Sequence, residues 1–530
     1  MKSCNSFFIK TFFIASLSLL HGCASLPADV ERTPSHTLQD TQDTLLANKV
    51  SIAVAEHPGL SGFYPLSTGM DAFITRYALI DQAQRSLDVQ YYIWHQDTTG
   101  VVLVDKLLQA ADRGVRVRIL LDDLDTAGKD SGLMSLDAHP NIEIRLYNPF
   151  ASRNSRMMDF VTDLTRVNRR MHNKSLTADN QATIVGGRNI GNEYFGATSH
   201  AEFSDLDVLG IGPIVQDVSD MFDSYWNSDS VMPVRAFNQG QPITDEALVK
   251  ARVEFDKAVS KELADPYIQA VKQSPLASSN RYDDMIFHWG RAILISDASD
   301  KAKATEVRAD THLAPKLKVH LDKAQQELII ISPYFVPGDE LVDYLGMLVE
   351  KGVRVRILTN SLVANDVGVV HAGYMRYREA LLRQGVELYE FKSVPGEASK
   401  EENKHWMGSS NASLHAKTFG IDREKVFVGS FNLDPRSVVL NSEMGVLIDN
   451  ADLGAMLGQS FDNNIAHKAY KLELNFIPED ESDSGFDEYE IQWLTQQDGK
   501  TVFYDAEPDT SFWQRFAAGF LSIFVIESFL

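Results

Sequence analysis

The apolar and polar positions of the chain spell out the same succession twice. In the first half "SLDVQYYIW" (from Ser86) is followed by "GVRVRILLDD" (from Gly114) and "IEIRLYNPF" (from Ile142). In the second half "ELIIISPYF" (from Glu327) is followed by "GVRVRILTNS" (from Gly352) and "VELYEF" (from Val386). Short apolar runs bounded by turn residues predict strands, and the amphipathic stretches between them predict helices. Each half should therefore run strand, helix, strand, helix, strand. Such alternation implies α/β domains with mixed or mainly parallel sheets flanked by helices, and its repetition implies two of them related by a pseudo-twofold. The expected boundaries are 49–285 for the first domain, ending in a helical connector from about residue 255, and 286–470 for the second.

After the third strand each half carries a matching polar pattern. "HNKSLTADNQATIVGGRN" begins at His172 and "HAKTFGIDREKVFVGSFN" at His415, and both follow H-x-K-x4-D-x6-G-x2-N. In an extended strand, residues two apart share a face, so His172 projects with Lys174 and His415 with Lys417. An imidazole beside an ammonium suits a phosphate ester: the lysine offers fixed positive charge, and the histidine can attack phosphorus or carry a proton. Asp179 and Asp422 fall where each strand turns back, a place for hydrogen bonding rather than proton transfer. Asn189 and Asn432 follow small residues that permit close approach, and their amides can donate to phosphate oxygens.

One H-x-K is common by chance and usually structural. Two copies at equivalent places answer a chemical need. In a double displacement one histidine forms a phosphohistidine, while the other protonates the departing alcohol and then deprotonates the incoming one. The site should therefore lie at the interface of the two halves. Lysine is a poor metal ligand and neither H-E-x-x-H nor a cysteine cluster is present, so no metal and no cofactor is expected.

The ends read differently from the repeats. Lys2 and Lys10, the apolar "TFFIASLSLL" and the ending "LHGC" predict a signal peptide over 1–23, with Cys23 as the site of lipidation. The polar stretch 24–48 reads as a flexible tether with a reach of roughly 25 to 30 Å. Near the other end, residues 471–530 comprise the acidic run "PEDESDSGFDEYE", a hairpin signal at Asp498 and Gly499, and "TSFWQRFAAGFLSIFVIESFL". The apolar run from Phe516 to Ile526 is too short to span a bilayer. It predicts either a buried helix that closes the core or an interfacial helix with Trp513, Phe516 and Phe520 in lipid. Acidic residues outnumber basic ones 73 to 50, for a net charge of −23. A field of that sign repels polyanions, so nucleic acid is not an expected partner.

With both H-x-K-x4-D motifs complete, the sequence resembles the phospholipase D superfamily. "NRRMHNKS", "GGRNIGNEYFG", "FSDLDVLGIG", "GSFNLDPRS" and "SFWQRF" are similar to the bacterial cardiolipin synthase C branch. The resemblance implies two fused phospholipase D-like domains and His172, Lys174, Asp179, His415, Lys417 and Asp422 as the catalytic set. His172 would be the nucleophile and His415 the general acid and base, or the reverse. Asn189 and Asn432 would bind phosphate beside the lysines. A carboxylate after each motif would orient its histidine, which places Asp205 and Glu443 in that role. Arg169 and Arg170 would contact a second phosphate or headgroup, or form a structural salt bridge. The implied substrates are phosphatidylglycerol and a donor phospholipid, at the bacterial membrane facing the periplasm, with a helper protein open. Hydrolysis of phospholipids to phosphatidic acid, and nuclease activity, are the alternatives.

Overall fold

The computed structural model describes residues 25–28, 30–197, 203–238, 243–274, 285–393, 413–477, 488–497 and 499–524. The signal peptide with Cys23 and most of the acidic run 478–490 lie outside the described residues. In the first half the strands Ser86–Tyr91, Arg116–Asp122 and Ile142–Tyr147 pair in parallel. The motif hairpin, Ser175–Ala178 and Ala182–Gly186, extends that sheet antiparallel, followed by Asp207–Ile211 and Ser61–Leu66. The second half repeats the arrangement with Glu327–Ile331, Arg354–Asn360 and Glu387–Phe391 in parallel. It continues through Thr418–Ile421, Lys425–Gly429, Met444–Asp449 and His288–Ser296. The sheets are thus mixed.

The parallel strands are buried along nearly their whole length, as strands covered by helices on both faces must be. The shared "GVRVRIL" stretch shows why identical residues recur. Gly114 and Gly352 adopt φ of 95° and 88°, the left-handed turn that ends a helix and starts the next strand at little cost only to glycine. Arg118 and Arg356 are fully buried, and each ties its strand to a covering helix: Arg118 to Asp88 and Asp223, Arg356 to Glu327 and Asp462. Removing one partner of such a pair leaves an uncompensated buried charge, so the whole cluster is retained or none of it.

One strand joins the halves. Residues 288–290 of His288–Ser296 pair antiparallel with Ser61–Phe63, and residues 291–296 pair with Met444–Asp449. The two sheets are therefore one continuous surface. Across the middle, Phe203–Ser204 pairs with Ser413–Leu414, and Met171 bridges Ser442.

Two expectations change, for the tether and for the last helix. The stretch 24–48 is no free tether from Arg32 onward. Arg145 donates to the Thr33 carbonyl, Arg118 and Asn227 to that of Ser35, and the Thr37 N–H donates to Asp223. Buried ionic groups of the first half lack enough partners within the sheet, and this segment supplies them. The connector forms helices Asp245–Glu262 and Pro266–Gln273. In the tail, Glu488–Gln497 and Lys500–Tyr504 form the hairpin. The last helix, Phe512–Phe524, is neither wholly buried nor free. It packs on Gly368–Met375 and buries Ala518, yet leaves Phe512, Trp513, Phe516 and Phe520 more than half exposed. Among the described residues, no helix is long and apolar enough to cross a membrane.

Candidate active site

Each motif hairpin begins with a histidine at the seam between the halves. The backbone there is fixed by the partner half: the His172 N–H donates to the Ser442 carbonyl, and the His415 N–H to that of Ser204. The next residue after each of these carbonyls is the acid. His172 Nδ1 lies 2.8 Å from Glu443 Oε2, and His415 Nδ1 lies 2.6 Å from Asp205 Oδ2. The pairing is crossed: the carboxylate following the second motif holds the histidine of the first, and the reverse. An Nδ1–H donated to a carboxylate leaves Nε2 as the basic nitrogen, which is the tautomer a nucleophile or proton acceptor requires.

Lys174 and Lys417 are buried, and each donates to the carbonyl of its own histidine, His172 and His415 respectively. Burial drives the charges down throughout. It lowers Lys174 to about 7 against the pull of Glu443, and Lys417 to about 8 against that of Asp205. It lifts Glu443 to about 7 and raises Asp205. Both imidazoles are held well below their ordinary value, first by burial and then by the two ammonium groups. Two imidazoles held low and two lysines lowered by burial share this site. A phosphodiester placed there would restore the lysine charges and make protonation of a histidine easier.

The remaining predicted residues divide. Asn189 donates to the Tyr194 hydroxyl and accepts from the Ile93 N–H, whereas the buried Oδ1 of Asn432 has no partner. Asp179 and Asp422, grouped above with the catalytic set, are not brought to the histidines. Asp179 accepts the backbone N–H groups of Gln84, Arg85 and Ser86, and Asp422 those of Gln325, Gln326 and Glu327. Each carboxylate pins the motif turn, where φ is 51° and 52°, to the start of the first parallel strand. Three N–H donors occupy each carboxylate in this structural role. Arg170 is likewise structural: it is fully buried on Asp122 and the Asn148 carbonyl. Arg169 donates to the carbonyls of Lys301 and Val439 in the second half.

Several neighbours carried no motif. The Tyr92 ring meets His172 edge-on at 5.0 Å between centroids, and Tyr194 meets His415 at 5.3 Å. The Ser430 hydroxyl donates to Glu443, whose own N–H donates to Asp297, itself paired with Lys301. Only the adjacency of "YY" at the end of a predicted strand hinted at one ring in the sheet and one beyond it. His95, Asp97 and Glu193 bring ligand-type atoms within 4.8 Å of one another. His95 is already paired with Glu193, and Asp97 accepts from the N–H groups of Gly100 and Asn192.

A duplicated H-x-K hairpin on a mixed α/β sheet, with each histidine held by a carboxylate of the other half, is the arrangement of a two-repeat phospholipase D-like protein. The chain belongs to the family described as cardiolipin synthase, PLD-like domain, whose model matches residues 77–226 and 317–465. It is 43% identical over 487 residues to cardiolipin synthase C of Escherichia coli strain K12, covering 91% of this chain and 99% of that protein. An uncharacterised protein of Helicobacter pylori strain 26695 is 31% identical over 516 residues, covering 96% and 97%. Among solved structures, phosphatidylserine synthase of Haemophilus influenzae Rd KW20 superposes with a TM-score of 0.53 at 16% identity. That match covers 80% of this chain and 92% of the other, and it bears on the fold alone.

Proposed function

We propose that the protein is a phosphatidyltransferase that makes cardiolipin from phosphatidylglycerol and a donor phospholipid through a phosphohistidine. The observation that carries this reading is the crossed pair of buried imidazole–carboxylate contacts, which leaves Nε2 of each histidine as the basic nitrogen, with a buried lysine two residues along from each. His172 Nε2 attacks phosphorus. The bond from phosphorus to the donor headgroup oxygen breaks, and protonated His415 gives that oxygen its proton. The incoming glycerol hydroxyl of phosphatidylglycerol then loses its proton to neutral His415 and attacks phosphorus, and the bond to His172 breaks. Lys174 and Lys417, with Asn189 and Asn432, hold the nonbridging oxygens through both displacements, while Asp205 and Glu443 keep the imidazoles in register.

The 43% identity to cardiolipin synthase C supports the lipid substrates. On this reading Cys23 carries the lipid anchor and the domains face the periplasm at the bacterial membrane. The test uses labelled donor lipid in a host that makes no cardiolipin. Raising phosphatidylglycerol should increase labelled cardiolipin at the expense of phosphatidic acid, and both products should vanish in His172→Ala. Phosphatidic acid alone across the acceptor range would make the protein a hydrolase, and cleavage of nucleic acid without either lipid product would make it a nuclease.

A further inference from the structure

Tyr92, whose ring meets His172, also lines a cavity of about 790 Å³ within the first half. Its walls are apolar side chains of the helices Thr98–Asp112 and Asp130–Asp137, among them Val104, Leu107 and Leu133, with Leu121 from the sheet. Its roof is the connector helix Asp245–Glu262, which contributes Leu248 and Phe255. The charged groups that reach it are already paired, within the lining or just outside it. Asp122 is paired with Arg170, Lys129 with Asp125, and Arg252 with Asp112. A polar ligand would find few free partners there, whereas an apolar one would find a continuous apolar lining. The volume is that of a ligand pocket rather than a packing flaw. At the roughly 30 Å³ that a water-sized group occupies, it has room for about 25 methylene-sized groups. The roof helix lies between the two matched repeats, so it is an addition to the duplicated frame. The lysine pocket and the apolar cavity thus meet at one side chain.

We propose that this cavity takes one acyl chain of a phospholipid whose phosphate lies between His172 and His415, with Tyr92 marking where the headgroup site gives way to the chain site. The proposal rests on the phosphatidyltransferase reading above, and two measurements separate the two. The first needs no turnover. Full-length His172→Ala in mixed detergent micelles is irradiated with a phosphatidylglycerol bearing a diazirine at one chain terminus, and labelled peptides are mapped by mass spectrometry. Label in residues 98–112, 130–137 or 245–262 is expected. Label confined to other segments, the exposed helix Phe512–Phe524 included, or no label at all, overturns the assignment. The second follows kcat/KM over short-chain phosphatidylglycerols that remain monomeric. Each added methylene should raise it about fourfold in the native protein. In Val104→Trp, which pushes an indole into the cavity and blocks part of it, the step should fall below twofold. Leu133→Trp replaces it if Val104→Trp melts early. An unchanged step in a folded variant overturns the proposal. Labelled cavity helices without any lipid transfer by the native protein would remove the transferase reading alone, and transfer with an unlabelled cavity would remove the chain site alone.

Discussion

Position for position, Gly187 in the first half stands where Ser430 stands in the second, and Asp205 where Glu443 stands. A Cβ on Gly187 would lie 2.3 Å from Asp205 Oδ1, so the shorter acid reaches His415 only because residue 187 has no side chain. In the second half the acid is one methylene longer, and the space beside it holds a hydroxyl that donates to it. The outcome at the imidazole is nearly the same, 2.6 Å in one case and 2.8 Å in the other. Duplication therefore preserves the contact and not the residues that make it. A substitution at one member of such a pair is readable only with the other member in view.

The sharpest way to break the equivalence of the halves is through the histidines themselves. His172→Ala should lower kcat by about 10⁵-fold or more, because no covalent intermediate forms. His415→Ala should cost about 10² to 10⁴ with ordinary donors, and a donor with a good leaving group should rescue this variant only. Equal rescue of both would mean that the halves are interchangeable. Next in size, Gly187→Ser should push Asp205 off His415 and cost about 100-fold in kcat, as a displacement near 1 Å in a catalytic group does. The double variant Gly187→Ser with Asp205→Glu reproduces the arrangement of the second half and should recover part of the loss. Failure to exceed the single variant would show that the two acids are not exchangeable solutions.

The pH dependence of kcat/KM tests the shared charges, since it reports groups of the free enzyme. Lys174 and Lys417, lowered to about 7 and about 8, are charged below those values and lose their protons above them. The alkaline limb should therefore begin near pH 7, not near 10.5, and fall about tenfold per unit until Lys417 also loses its proton near pH 8, and more steeply beyond. His172 must be neutral to attack, and burial holds it well below its ordinary value, so the acid limb should lie below pH 6.5. Lys174→Arg, whose guanidinium keeps its proton, should move the alkaline limb upward. The smallest effect is expected for Ser430→Ala, which removes one hydrogen bond to Glu443. A fall in kcat of about tenfold, seen in steady-state turnover, matches a bond to a charged group. No change would mean that Glu443 is held by His172 and Lys174 without the hydroxyl.

The duplication was legible because its residues are repeated outright: "GVRVRIL" needs the same glycine turn and the same buried arginine twice, and H-x-K fixes two side chains on one face. The sheet order follows from that repetition. The crossed pairing of Asp205 and Glu443 was not legible, since it depends on how the halves face each other, and no local pattern encodes an angle between domains. The place of Asp179 and Asp422 in the turn was legible, although the family motif groups them with the histidines: one strand length carries them to the far end of the hairpin, where backbone N–H groups claim them. The segment from Arg32 to Thr44 looked like a tether because its residues are polar. The sequence around it does not reveal that Arg118, Asp223 and Arg145 need those groups as partners. The apolar cavity was equally hidden, as its lining comes from several elements whose apolar faces each read as ordinary core.

The strand His288–Ser296 gives its first three residues to one sheet and the rest to the other. Many enzymes built from paired lobes work as jaws, opening to admit a substrate and closing to expel water. Here a hinge at the seam would have to break a hydrogen-bonded ladder, and the cross-pairs at Met171 and Ser204 would tear with it. The seam is therefore a weld, and the reacting groups stay aligned whether or not a substrate is present. Such a frame favours cargo that slides in lengthwise over cargo that must be enclosed by a closing movement.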